Sequence, residues 1–129
     1  MEPIYIRVYT NRIEVRDLHT KKEAIAQRNF SHRRMLIGDF YPAIEAIHIA
    51  LNNLSINPSA FFFKKRDVVI HPLECTEDGL SKVEIRLFNE VVAAGFNNKY
   101  KKFIISAKLT PLIDTEVIEL INKSLHDIK

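Results

Sequence analysis

RDVVIHPLECTEDGLSKVEIRLFNEVVAAGF, residues 66–96, is the stretch on which the fold turns. It opens with Val68-Val69-Ile70, an uninterrupted β-branched run that suits a strand covered on both faces at the centre of a sheet. A polar turn follows, and then Leu80, Val83, Leu87, Phe88, Val91 and Val92 recur at the three- and four-residue spacing of one helical stripe. Thr76 is a good N-cap candidate, with Glu77 and Asp78 placing negative charge at the positive end of the helix dipole. Gly95 is well placed to stop the helix. A central strand followed by an amphipathic helix argues for layered α/β architecture.

Working outward, the strand-then-helix unit repeats downstream. Phe103-Ile104-Ile105, within residues 100–107, reads as a second buried strand. Pro111 marks a break, and Asp114 or Thr115 caps a last helix carrying Val117, Ile118, Leu120, Ile121 and Leu125. Upstream, residues 4–9 alternate Ile4, Ile6 and Val8 against Tyr5, Arg7 and Tyr9. After a turn at Thr10-Asn11-Arg12, residues 13–16 set Ile13 and Val15 against Glu14 and Arg16. A third strand over residues 23–30 alternates Ala24, Ala26 and Arg28 with Ile25, Gln27 and Asn29. Three short strands on tight turns predict an antiparallel meander with one covered and one open face. Residues 31–39 connect it to a helix over residues 40–54, with Asp39 as its cap and Pro42 in the first turn, where a missing N–H is harmless. The predicted order is βββαβαβα.

At 129 residues, 47% hydrophobic and 27% charged, the chain fits one globular domain over residues 1–129. Three glycines and five prolines leave no composition for an internal linker. The single cysteine, Cys75, excludes an intrachain disulfide framework and fits a reducing, cytoplasmic setting. No run approaches the ~20 apolar residues of a membrane span. The first residues are neither basic nor followed by an apolar core, so no signal peptide is expected. A net charge of +3 is too small for a nucleic-acid footprint. The basic groups Arg33-Arg34, Lys64-Lys65-Arg66 and Lys99-Tyr100-Lys101-Lys102 read first as solubilising turns that flank hydrophobic strands.

Ligands of α/β sheets gather beyond the carboxyl ends of the strands. There the sequence offers Asn11 and Arg12 after the first strand, and His71, Glu74, Cys75 and Thr76 after the fourth. A His, a Glu and a Cys so close together raise a metal or an activated thiol, but their spacing matches no metal motif, and they read foremost as loop residues. Gly38, Gly79 and Gly95 stand alone, so there is no glycine-rich phosphate loop.

The order βββαβαβα is that of the ribonuclease H-like superfamily, which includes the first subdomain of actin-like ATPases. Leu36-Ile37-Gly38-Asp39-Phe40, Val69-Ile70-His71-Pro72, Thr76-Glu77 and Ala93-Ala94-Gly95-Phe96 resemble segments of the MreB/FtsA branch, over roughly residues 4–107. The resemblance implies a mixed five-stranded sheet with helices packed on it, and a link to cell shape or division. Its ligand positions depart from the family. Val8-Tyr9-Thr10-Asn11-Arg12 stands where the family carries an Asp and then a Gly-Thr loop, and Ser106 and Lys108 stand where it carries a Glu or Gln. The family's second half has no counterpart here. A kept core with lost ligand positions implies a non-catalytic interaction module, with no cofactor and with a protein partner or self-association. Tyr5, Arg7, Tyr9 and Arg16 form the candidate surface on the first strands. The competing expectations are a nucleotide-binding fragment that acts with a partner chain, and a weak nucleic-acid binder.

Overall fold

The computed structural model describes residues 2–32, 35–75 and 79–127, with residues 124–127 described by backbone alone. Alternation over the first segment produces three antiparallel strands, β1 (Ile4–Tyr9), β2 (Arg12–Asp17) and β3 (Lys22–Gln27). Their turns rest on left-handed residues, Asn11 at φ 56° and Lys21 at φ 62°. Then come α1 (Phe40–Asn53), β4 (Val68–Pro72), α2 (Lys82–Gly95), β5 (Phe103–Ile105) and α3 (Asp114–Asp127). The strands form one mixed sheet in the order β3-β2-β1-β4-β5, with β4 parallel to both β1 and β5.

The first strand is therefore the middle of the sheet, and the period of two along it sorts its side chains onto two cores. Ile4, Ile6 and Val8 join Ile13, Val15, Val68 and Ile70 under α1 and α2. Tyr5 and Val69 lie on the other face with Leu18, Val117 and Ile121 of α3. The expected open face is thus partly closed. Its polar alternation is real, but α3 returns across it because an amphipathic helix must bury its stripe somewhere. At β3 the expected strand shortens. It ends at Gln27, and Phe30, fully buried, leaves the ladder to donate its N–H to Asn11 Oδ1 at 3.0 Å.

Helix boundaries follow local chemistry that the apolar stripes do not reveal. Thr76, Glu77 and Asp78, expected at the start of α2, lie outside the described residues, as do Arg33, Arg34 and the side chain of Leu125. The helix starts later, at Lys82, because Ser81 and Glu84 form a reciprocal capping box: Glu84 N–H donates to Ser81 Oγ at 3.2 Å, and Ser81 N–H to Glu84 Oε1 at 3.1 Å. Its buried residues are Phe88, Val91, Val92 and Gly95, whereas Val83, expected in the stripe, is exposed. Asp39 stands at the N-cap position of α1 but makes no side-chain capping bond. Asp114 begins α3 with its carboxylate on Arg16, and Glu116 instead accepts from the Ile113 N–H at 3.0 Å.

Gly95 is the last residue of α2 for a different reason from the expected helix stop. A Cβ there would lie 2.8 Å from Ile47 Cγ2, so the missing side chain lets α1 and α2 approach. The left-handed residues that turn the chain after the helix are Asn97 and Asn98. Beneath the sheet's other end, Arg66 is buried against Asp17. Arg66 Nε also donates to the Glu2 carbonyl at 2.8 Å, and Asp17 Oδ1 also accepts from the His19 N–H at 2.9 Å. Burial pushes the Asp17 carboxyl up, but the hydrogen bond and charge of Arg66 outweigh it and hold the acid below its ordinary range.

Two outcomes follow for stability. Asp17→Asn removes the partner of a buried guanidinium and lowers the unfolding free energy by about 3–5 kcal/mol in urea titration. Gly95→Ala overpacks the α1–α2 contact and costs about 1–3 kcal/mol, part of which Ile47→Val restores in the double variant.

Candidate functional site

The sheet separates the expected strand-end group. Along β4, His71 falls on the α3 face and is fully buried, 0% exposed. Its Nε2 lies 2.6 Å from the Lys108 carbonyl oxygen, which can only accept, so Nε2 carries the proton. Nδ1 is then the acceptor for the Tyr5 hydroxyl at 2.6 Å, and that hydroxyl accepts in turn from the Leu112 N–H at 3.0 Å. The result is a continuous chain, Leu112 N–H to Tyr5 O–H to His71, ending on Lys108. Every polar atom in it has a partner, which is what burial requires. Burial pushes the His71 imidazole below its ordinary range despite its bond to Lys108, and it raises the Tyr5 hydroxyl.

The other members of the group lie elsewhere. Glu74 is exposed and accepts the Thr10 N–H at 2.6 Å, which ties the end of β4 to the first hairpin. Cys75, at φ 57°, is half-buried and packs against the α1–α2 core. Thr76 lies outside the described residues. Asn11 is occupied with structure. Its Oδ1 accepts from Phe30 and Ser31 N–H groups at 3.0 and 2.8 Å, and its own N–H donates to Ser31 Oγ at 3.0 Å. Arg12 lies over the Tyr9 ring at 4.1 Å from its centroid, with Nε 3.1 Å from Glu14. Among the described residues, no group of three or more His, Cys, Asp or Glu side chains converges to hold a metal ion. What remains at the hairpin is a shallow cleft of about 430 Å³ lined by Thr10, Asn11, Arg12, Gln27, Arg28 and Asn29.

The expected interaction surface also changes. Tyr5 is a correction: it is 0% exposed, sealed beneath α3, and cannot meet a partner. Arg7 and Arg16 sit in an ionic lattice across β1, β2 and β3. Arg7 pairs with Glu14 at 3.0 Å and with Glu23, while Arg16 grips Asp114 at 2.7 and 2.9 Å and approaches Glu23 at 3.4 Å. Asp114 is held below the ordinary carboxylate range, first by its hydrogen bond from Arg16 and then by that residue's charge. Charges placed on facing cross-strand positions at the period of two make such a lattice readable in hindsight. The long-range partner on α3 carries no sequence signal. Tyr9 stays half-exposed beneath Arg12.

No family model matches the sequence. Over 126 residues it is 36% identical to the uncharacterized protein YjaA of Escherichia coli (strain K12), an alignment that covers 95% of this chain and 99% of the relative. The chain belongs to the YjaA family. The alignment runs over nearly the full length of both proteins. No helix among the described residues is long and apolar enough to cross a membrane.

Removing the Tyr5 hydroxyl tests the buried chain. Tyr5→Phe strands the Leu112 N–H and the His71 Nδ1 and lowers stability by about 1–3 kcal/mol. Amide exchange in residues 106–113 speeds up with it. Because the folded imidazole is depressed, wild-type stability declines as pH falls from 6.5 towards the folded value, where the unfolded chain takes a proton that folded His71 refuses. Chemical denaturation across that range reads the slope.

Proposed function

We propose that this chain is a standalone, degenerate domain of the actin-like, ribonuclease H-like type, working as a non-catalytic interaction module. It takes a strand from a partner protein, or from a second copy of itself, along the outer edge of β3. The observation that carries the reading is that edge. β3 is one of the two edge strands of the sheet, its outer side pairs with no other described strand, and Ile25 on it is 57% exposed. Lys22 and Glu23 charge only its first end, which leaves Ala24 to Gln27 as an uncharged template for pairing.

Several features support the wider assignment. The element order is the one that type of domain carries, and the sheet is mixed. At the carboxyl end of β1, where that family places an Asp, Tyr9 and Arg12 stack on each other instead. His71, near the carboxyl end of β4, has both ring nitrogens committed to hydrogen bonds. The tie to cell shape or division comes from the resemblance alone.

The test is sedimentation velocity over rising protein concentration, with Ile25→Lys as the comparison. Association, or capture of a defined partner, that Ile25→Lys weakens about tenfold or more supports the reading. Wild-type and variant chains that behave alike end it. Calorimetric titration with Mg-ATP gives no heat on this account, and tight binding there would replace it with the nucleotide-binding alternative.

A further inference from the structure

The segment between α1 and β4 carries three consecutive phenylalanines, Phe61, Phe62 and Phe63. Its backbone is fixed by successive turns. Ala60 N–H donates to the Asn57 carbonyl and Phe63 N–H to the Ala60 carbonyl, both at 3.1 Å, while Asn57 Oδ1 accepts from Ser59 N–H at 3.0 Å. Asn97 Nδ2 bonds Ser59 Oγ and ties the segment to the turn after α2. On this ordered frame Phe62 and Phe63 border a cleft with Leu54 and Ile56, and Phe63 is the more buried of the two. Phe61 is fully exposed and Phe62 is 85% exposed. Two adjacent phenylalanines held out in water by a structured turn mark a contact surface rather than a packing accident.

The exposed charges next to them in the chain are basic. Lys64 and Lys65 are exposed, and Arg66 alone turns inward to Asp17. The Lys101 N–H bonds the Arg66 carbonyl at 2.9 Å and the Val68 N–H bonds the Lys102 carbonyl at 2.8 Å, so the basic run Lys99, Lys101 and Lys102 lies beside the first. Neither residues 55–66 nor residues 96–108 include a carboxylate. The Lys102 ammonium is shielded from water and has no hydrogen-bond partner among the described residues. Two basic turns far apart in sequence thus meet beside the segment that carries the aromatic pair.

An exposed aromatic pair with basic turns beside it matches the boundary of an anionic bilayer, which admits rings among its upper acyl chains and sets phosphates at the level of the lysines. A nucleic acid strand asks instead for a groove whose rings lie flat to receive bases. We propose that the 55–66 loop and the 99–102 turn dock this protein on anionic lipid surfaces, with Phe61 and Phe62 inserting and Lys64, Lys65, Lys99 and Lys101 meeting the headgroup phosphates. This surface lies at the amino ends of β4 and β5, and its argument does not depend on the β3 edge.

The experiment is co-sedimentation of the full chain with vesicles of phosphatidylcholine alone and of phosphatidylcholine mixed with phosphatidylglycerol. Wild-type protein sediments with the anionic vesicles only. The double variant Phe61→Ser, Phe62→Ser loses about tenfold or more of that binding, while its unfolding curve matches wild type because both side chains are exposed. Lys64→Ser with Lys65→Ser weakens binding by a similar factor at low salt, and its deficit shrinks as salt rises. The chain contains no tryptophan, so Phe62→Trp supplies a single reporter whose emission shifts to the blue on anionic vesicles. Failure of the wild type to sediment, equal binding by the serine double variant, or retention on a single-stranded oligonucleotide instead of vesicles each overturns the proposal.

Discussion

The hydrogen-bond chain through Tyr5 and His71 is the constraint on which this arrangement rests. Strands β1 and β4 lie side by side at the centre of the sheet, and each presents one polar aromatic or imidazole group to the face that α3 must cover. Left unpaired under a helix, those groups would oppose its docking. Paired with each other and with the backbone at Lys108 and Leu112, they hold the approach to α3 against the sheet. Tyr5, a candidate for the interaction surface, and His71, a candidate strand-end group, are therefore both committed to structure. Their bonding leaves no free lone pair on the imidazole for chemistry.

A second buried polar contact is built on Arg66. Arg66 gathers the Asp17 carboxylate and the backbone of Glu2 and Pro3 at the point where the chain enters β4. Both contacts touch the amino end of β1, one just before the strand and one at its second residue. On the same sheet the ionic lattice of Arg7, Glu14, Glu23, Arg16 and Asp114 links β3 to α3 across the part of the face that the helix leaves uncovered. That face is consequently organised by charge where it is open and by hydrogen-bonded aromatics where it is closed.

Much of the architecture was legible in the sequence because it depends on periodicity. The alternation in residues 4–9 and 13–16, the continuous run at Val68-Val69-Ile70 and the helical stripe of residues 40–54 each produced the expected element. What could not be read depends on contacts between distant residues. Tyr5 looked exposed because alternation separates two faces without saying which later helix returns to cover one. The start of α2 moved from Thr76 to Lys82 because a reciprocal capping box at Ser81 and Glu84 outweighs a lone capping residue. His71, Glu74 and Cys75 are neighbours in the chain, yet the pleat, the loop and a left-handed Cys75 send them to a buried face, the solvent and the α1–α2 core. The approach of the residue 99–102 run to residues 64–66 required the β4–β5 register to become visible.

The bond between the Tyr5 hydroxyl and the Leu112 amide joins positions 107 residues apart. A ribosome delivers the first of them long before the second. Throughout that interval the middle strand of the sheet carries a face whose cover has not been made, and the antiparallel hairpins can form while the parallel half waits for β4. Contacts of such long sequence separation are closed late and slowly. For this fold, the vulnerable period is the time between synthesis of the first strand and arrival of the last helix, when an unfinished aromatic face is open to whatever else the nascent chain meets.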